Sequence, residues 1–296
     1  MKLFHFLALE GSYTKAAKLL YISQPALSVQ IKKLECQLGI KLIDKVGNKI
    51  SLNENGKLLF QYTQQIFSLI EEANHVLLNN SDCIMGSINV GGSNTPGTYI
   101  LPKIIGDFKN LYPDVNINLH ITNTDGVAQL ISEGKLDFAI NGGDLTYKNN
   151  IYVEKLAADK MVLAVSPLSS ISKKDCIQPS DLADKNFISH ESNSQLRDFI
   201  INFINDLGIS PNITMTFGGT DAIKQAVAAN LGISLLPYSA VSLELKLGII
   251  KELHLKDKSW LYPYSLIYNK SKYLSPATQK MLQLVRNRML DFQKEA

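Results

Sequence analysis

At 296 residues the chain is longer than one hydrophobic core usually spans, so more than one domain is expected. Hydrophobic residues make up 45% and charged residues 19%, which excludes a disordered chain. The net charge of +3 is unevenly spread: residues 1–60 hold nine Lys against four acidic residues and the remainder 21 basic against 23 acidic, so the positive excess that phosphate attraction requires lies at the N-terminal end.

Phe4, Phe6, Leu7 and Leu9 start an amphipathic helix at once, with no signal-type apolar segment before it. No stretch is long and apolar enough to span a bilayer, so a cytoplasmic protein with no membrane partner is expected. Gly11 and Ser12 end this helix and cap the next, a short apolar one carrying Ala16, Ala17, Leu19 and Leu20. Tyr21 and Ile22 carry the chain round. Ser23 then caps a new helix with Pro25 in its first turn, and Leu27, Ile31, Leu34 and Leu38 recur at the spacing of one buried face. Two helices across a tight break form a helix-turn-helix, whose outward face carries Gln24, Pro25, Ser28, Val29, Lys32 and Lys33. Gln suits an adenine edge, Ser a base or phosphate, and Lys a phosphate; a face that meets only water carries the same residue types.

Lys41 to Leu52 reads as a two-stranded wing turning at Gly47-Asn48, with Lys45 and Lys49 placed for phosphate or a minor groove, or for water alone. Asn53 caps a helix from Glu54 to about Asn80, roughly 40 Å long. Leu59, Tyr62, Ile66, Leu69, Ala73 and Val76 step along it as an a/d seam, which packs either on its own chain or on a second copy. Ser81 to Gly86 is a hinge. Strands then alternate with helices, as in a parallel α/β sheet: Ser87–Gly91, Asn116–Ile121, Asp137–Ile140, Met161–Val165 crossing to a second lobe, Phe187–His190, Ile213–Phe217, Gly232–Pro237, and Tyr264–Tyr268 returning. A terminal helix spans Ser275 to Phe292.

Three helix starts at strand ends carry hydroxyl clusters: Ser93-Asn94-Thr95, Ser192-Asn193-Ser194 and Thr220. Each alone is a helix cap; together, on both lobes, they suggest a cleft that closes on a small acid or anion. Arg197, one of only three Arg, follows the second cluster, placed either as a fork for ligand oxygens or in a surface salt bridge with Glu191 or Asp198. His190 beside that loop reads either as a packed histidine or as a further ligand contact. Cys36, Cys83 and Cys176 form no C-x-x-C pair, and inert or buried thiols are expected. The five His show no metal-ligand spacing, and neither a nucleophile elbow nor a phosphate or dinucleotide loop is present, so no metal, no cofactor and no enzyme activity are expected.

These motifs resemble the LysR-type transcriptional regulators over essentially the whole chain. Phe4, Gly11-Ser12-Tyr13-Thr14-Lys15-Ala16-Ala17, Ser23 to Ser28, Leu34-Glu35-Cys36-Gln37-Leu38-Gly39, Lys41 to Lys45 and Ile50 to Gly56 carry it at the N-terminus. Leu101-Pro102, Tyr112-Pro113, Leu136 to Ile140, Val227 to Ile233 and Leu236-Pro237 carry it beyond the hinge. Several residues precede the position of Met1 in the family, so either the true start lies upstream or the first helix has lost a turn. Two departures stand out: Val29 replaces the usual Arg, and the wing uses Lys45 and Lys49 where Arg is common. Val29 can pack on a thymine methyl but cannot grip guanine, which points to A·T-rich half-sites.

The resemblance implies an α/β protein: a winged helix-turn-helix over 1–56, a linker and dimerisation helix over 57–82, and a two-lobed effector-binding domain over 86–296 like the periplasmic solute-binding proteins. Lobe I takes about 86–162 and 268–296, lobe II about 163–267. It implies a sequence-specific regulator that binds double-stranded DNA at a pseudo-palindromic operator as a homodimer or homotetramer and responds to a small-molecule effector. Ser12, Thr14, Gln24, Pro25, Ser28, Val29, Lys32, Lys45 and Lys49 are then the DNA-binding candidates. Ser93, Asn94, Thr95, Thr124, Ser192, Ser194, Arg197 and Thr220 are the effector-binding ones. The competing reading is a small-molecule-binding protein without regulatory DNA binding.

Overall fold

The structure is a computed structural model that describes residues 1–46, 49–78, 84–174, 176–191, 194–210, 212–255 and 260–295, with the side chains of 45, 46, 49, 68, 71, 72, 74–78, 294 and 295 excepted. The Gly47-Asn48 turn, most of the hinge, Cys83, Ser192 and the side chains of Lys45, Lys49 and Val76 lie outside it. The chain divides into two compact units, Met1–Gly86 and Ser87–Ala296.

In the first unit, Lys2–Glu10 (α1) ends on Gly11, whose φ of 59° is left-handed and suits a residue without Cβ. Ser12 caps Tyr13–Leu19 (α2), and Ser23 caps Gln24–Leu38 (α3) by accepting from the Ala26 N–H at 3.3 Å. Ile43–Val46 (β1) and Lys49–Leu52 (β2) pair antiparallel, and Glu54–Leu78 (α4) runs for 25 residues. Phe4, Leu7, Ala16, Ala17, Leu27, Ile31 and Leu42 form the buried core. Each large side chain there contributes about 1.5–3 kcal/mol.

The expected face of α3 is corrected at its end: Leu38 is exposed and Glu35 is buried instead. The reason is a specific set of partners. Glu35 Oε1 accepts from the Leu42 N–H at 2.9 Å and the Ile43 N–H at 3.4 Å, and Oε2 meets Lys41 Nζ at 3.0 Å, so the carboxylate ties α3 to the first strand of the wing. Leu19, one of the apolar residues of α2, is also exposed. Along α4, Leu59 packs on the core of its own unit, whereas Tyr62, Ile66, Leu69 and Ala73 are exposed together with Leu58 and Ile70. Gly56 lies against the Leu42 backbone so closely that an added Cβ would sit 2.0 Å from the carbonyl oxygen.

The second unit begins with Gly86–Ser93 (β3), a turn of π-helix at Pro96–Ile100, Leu101–Leu111 (α5), Val115–Thr122 (β4), Thr124–Ser132 (α6) and Phe138–Gly142 (β5). There follow Ile151–Val165 (β6), Asn186–His190 (β7), Gln195–Asp206 (α7), Asn212–Phe217 (β8), Thr220–Ala228 (α8) and Ser234–Pro237 (β9). Tyr238–Lys246 (α9), Lys251–Glu252 (β10), Leu261–Asn269 (β11) and Pro276–Glu295 (α10) complete it. The main sheet runs β10-β6-β11-β5-β3-β4 with β9 also on β6. The five residues of β5 are all buried, as an apolar central strand requires.

The expected parallel sheet is realised only in part: β3–β5 and β7–β8 are parallel, but β11 runs antiparallel to β5 and β6, and β9 antiparallel to β6. Strand β6 makes the two lobes. Its residues 151–160 pair with β11, and its residues 161–164 pair with β9, which β7 joins through an Ile188 N–H to Ile233 carbonyl bond. The crossing strand therefore starts ten residues before the expected Met161. The chain returns at Leu261 rather than at 268. Separate cores serve the lobes, with Val127, Ile131 and Leu136 in one, and Ile188, Ile223, Val227 and Val241 in the other.

Candidate functional site

On the N-terminal unit, the start of α3 is presented to solvent. Gln24, Pro25, Val29 and Lys32 are exposed, Ser28 is half-buried, and Val29 keeps 62% of its surface. Thr14, near the start of α2, donates its hydroxyl toward Gln24 Oε1 at 3.5 Å, a long bond that nonetheless sets the two side chains side by side. Ser12 accepts from the Lys15 N–H and is half-buried. A convex helix start with a polar amide, small hydroxyls and Lys has the shape and chemistry of a major-groove reader. Cys36 and Cys176 are exposed rather than buried.

In the second unit a cleft of about 350 Å³, open mouth included, lies between the lobes. Ser93, Asn94, Thr95 and Thr124 line it from the first lobe, and Ser194 and Thr220 from the second. Helical segments begin at this cleft: the π-helical turn that continues into α5, then α6, α7 and α8. Their unpaired N–H groups and dipoles supply partial positive charge. Asn123 caps α6 by accepting from the Gly126 N–H at 2.8 Å, and the Ser93 hydroxyl accepts from the Gly142 N–H at 3.0 Å, which fixes the loop over the end of β5.

Arg197 is not among the residues that line this cleft, and its guanidinium donates to the His190 carbonyl at 3.1 Å. His190, for which ligand contact is one of two readings, lines the cleft, and the residues that sequence reasoning missed are Pro96, Asn123, Leu196 and Tyr262. His190 is 2% exposed, and burial pushes its pKa down to about 4, so the imidazole is neutral at pH 7. Tyr262 reaches the cleft from β11, its ring so close to Gly142 that a Cβ there would lie 2.6 Å away. No signal in the sequence marks it, because β11 meets the helix starts only in three dimensions.

Among the described residues every one that lines the cleft is uncharged. Two buried polar atoms there, Thr220 Oγ1 and His190 Nε2, have no hydrogen-bond partner among the described residues. Such atoms are costly to leave unpaired.

Residues 1–57 match the model of the bacterial regulatory helix-turn-helix protein, lysR family, and residues 84–290 match the LysR substrate binding domain. The probable RuBisCO transcriptional regulator of Phaeodactylum tricornutum is 36% identical over 282 residues, covering 94% of this chain and 92% of that protein. Among solved structures, full-length OxyR from Pseudomonas aeruginosa aligns with a TM-score of 0.73 at 20% identity, covering 97% of this chain and 92% of the other. The regulatory domain of Synechocystis PCC6803 CcmR in complex with 2-PG aligns at 0.62 and 21%, covering 69% and 97%. Two family models placed end to end, and a relative alike along nearly its whole length, lead to one conclusion: the chain belongs to the LysR family of transcriptional regulators.

Proposed function

We propose that this regulator binds a small anionic effector in the cleft between its lobes and reads an A·T-rich pseudo-palindromic operator as a homodimer or homotetramer. The observation that carries the effector reading is the cleft itself: helix starts, hydroxyls and, among the described residues, no charged lining side chain and two buried polar atoms without a hydrogen-bond partner. A carboxylate or phosphate-like oxyanion is held in such a place by N–H groups and hydroxyls alone. Ser93, Asn94, Thr95, Thr124, Ser194 and Thr220 are its contacts in this reading, with His190 added and Arg197 withdrawn.

For DNA, Gln24, Pro25, Ser28, Val29 and Lys32 meet base edges and phosphates, Ser12 and Thr14 support them, and Lys45 and Lys49 of the wing remain candidate phosphate contacts. Tyr62, Ile66, Leu69 and Ala73 are the paired face of α4, with Leu58 and Ile70 beside them. The relatives' name makes RuBisCO genes the proposed target, and the CcmR complex makes 2-PG the first ligand to try.

Thermal unfolding of the full chain with 2-PG, phosphate, sulfate and small carboxylates tests the effector reading. At least one is expected to raise Tm in wild type and to do so about tenfold less effectively in Thr220→Val; no shift with any of them refutes it. Selection from random duplexes tests the DNA reading, and G-rich half-sites would overturn it.

A further inference from the structure

Beside the cleft the two lobes are joined by a polar cluster that the effector reading does not use. Tyr99, in the π-helical turn of the first lobe, donates its hydroxyl to Asp221 Oδ1 on α8 of the second at 2.7 Å. Lys224, one turn along α8 and 8% exposed, places Nζ 3.3 Å from Asp221 Oδ1, 2.9 Å from Glu244 Oε1 and 3.2 Å from the Ala240 carbonyl on α9. The same ammonium lies 5.0 Å from the centre of the Tyr99 ring.

We propose that Tyr99 and Asp221 form a latch between the lobes, with Lys224 and Glu244 as its fixed seat, and that breaking the latch opens the cleft. The place in the chain supports this. Tyr99 stands four residues after Thr95, and Asp221 directly follows Thr220, so the latch moves with the same two helix starts that line the cleft. The burial of the parts separates what stays from what opens. Lys224 and Glu244 side chains retain only 10% and 13% of their surface and both belong to the second lobe, so little water competes with their ion pair. The Asp221 side chain is 66% exposed, and water can replace the Tyr99 hydroxyl there. The bond that spans the lobes is thus the weakest part of the cluster. A phenol-to-carboxylate bond is charge-assisted, and its loss shifts an opening equilibrium roughly tenfold.

Only the ligand arm of the test rests on the effector reading. Hydrogen–deuterium exchange of the full chain without ligand compares wild type, Tyr99→Phe, Asp221→Ala and the double variant. Phe keeps the ring over Lys224 and removes the hydroxyl alone. Amides of 95–101 and 220–224 are expected to exchange about tenfold faster in each single variant, with β5 and β7 unchanged and the double variant no faster than either single one. Wild-type exchange in Tyr99→Phe, or additive acceleration in the double variant, would overturn the latch. Should Asp221→Ala not fold, Tyr99→Phe decides alone. Adding phosphate to wild type forms the ligand arm: failure to slow exchange at 220–224 counts against phosphate as an effector and leaves the latch standing.

Discussion

Acid should weaken the second unit through His190. In the unfolded chain this histidine titrates near its ordinary 6.5, and burial in the cleft wall brings it to about 4. Between those values the unfolded state binds a proton that the folded state refuses, so stability is full above the unfolded pKa and is lost as pH falls toward 4. At pH 5 the difference amounts to about 2 kcal/mol. Trp260 is the sole Trp and packs edge-on against Phe203 of α7 with ring centres 4.3 Å apart, so its fluorescence reports this unit. Urea unfolding followed at Trp260, at pH 7.5 and pH 5, should show wild type losing about 2 kcal/mol more than His190→Gln. Carboxylates that titrate elsewhere act on both proteins and cancel in the comparison. Equal losses would refute the claim that the imidazole is held neutral. A bound anion near Nε2 would favour protonation, so effector affinity should rise as pH falls below 6.

Gly56→Ala drives a Cβ to 2.0 Å from the Leu42 carbonyl oxygen and should destabilise the N-terminal unit by about 2–3 kcal/mol, seen as lost operator binding with an unchanged Trp260 transition. Undiminished DNA affinity would contradict the close approach. Glu35→Gln should cost about 1–3 kcal/mol and speed exchange of the Leu42 and Ile43 amides, because burial pushes this carboxyl up while the Leu42 amide and Lys41 more than offset it and hold it below its usual value. Unaltered protection of Leu42 would remove the brace from the argument. Ile66→Glu with Leu69→Lys should yield a monomer in sedimentation and weaken pseudo-palindrome binding by about 10²-fold or more; a dimer of wild-type affinity would exclude α4 as the paired face.

Local rules made much of the chain legible. Gly11, Ser12, Ser23, Pro25 and Asn53 mark helix ends through their own backbone and side-chain chemistry, and Gly11, Ser12, Ser23 and Asn53 are found capping and Pro25 in the first turn of α3, where they were read. Hydroxyls at helix starts likewise announced a cleft before any strand was paired. What the chain alone concealed depends on partners far away in sequence. The first ten residues of β6 escaped notice because Glu154, Lys155, Asp159 and Lys160 do not look like a core strand. Glu154 is matched by Arg286 at 2.9 Å, and the buried Asp159 accepts from the Ser239 and Tyr264 hydroxyls, partners 80 to 132 residues distant. The sequence likewise gives no sign that the Arg197 guanidinium donates to the His190 carbonyl. Periodicity and capping act within a few residues and are therefore written in order along the chain. Which charge is neutralised, which polar atom is left waiting and where two lobes meet are decided by packing alone.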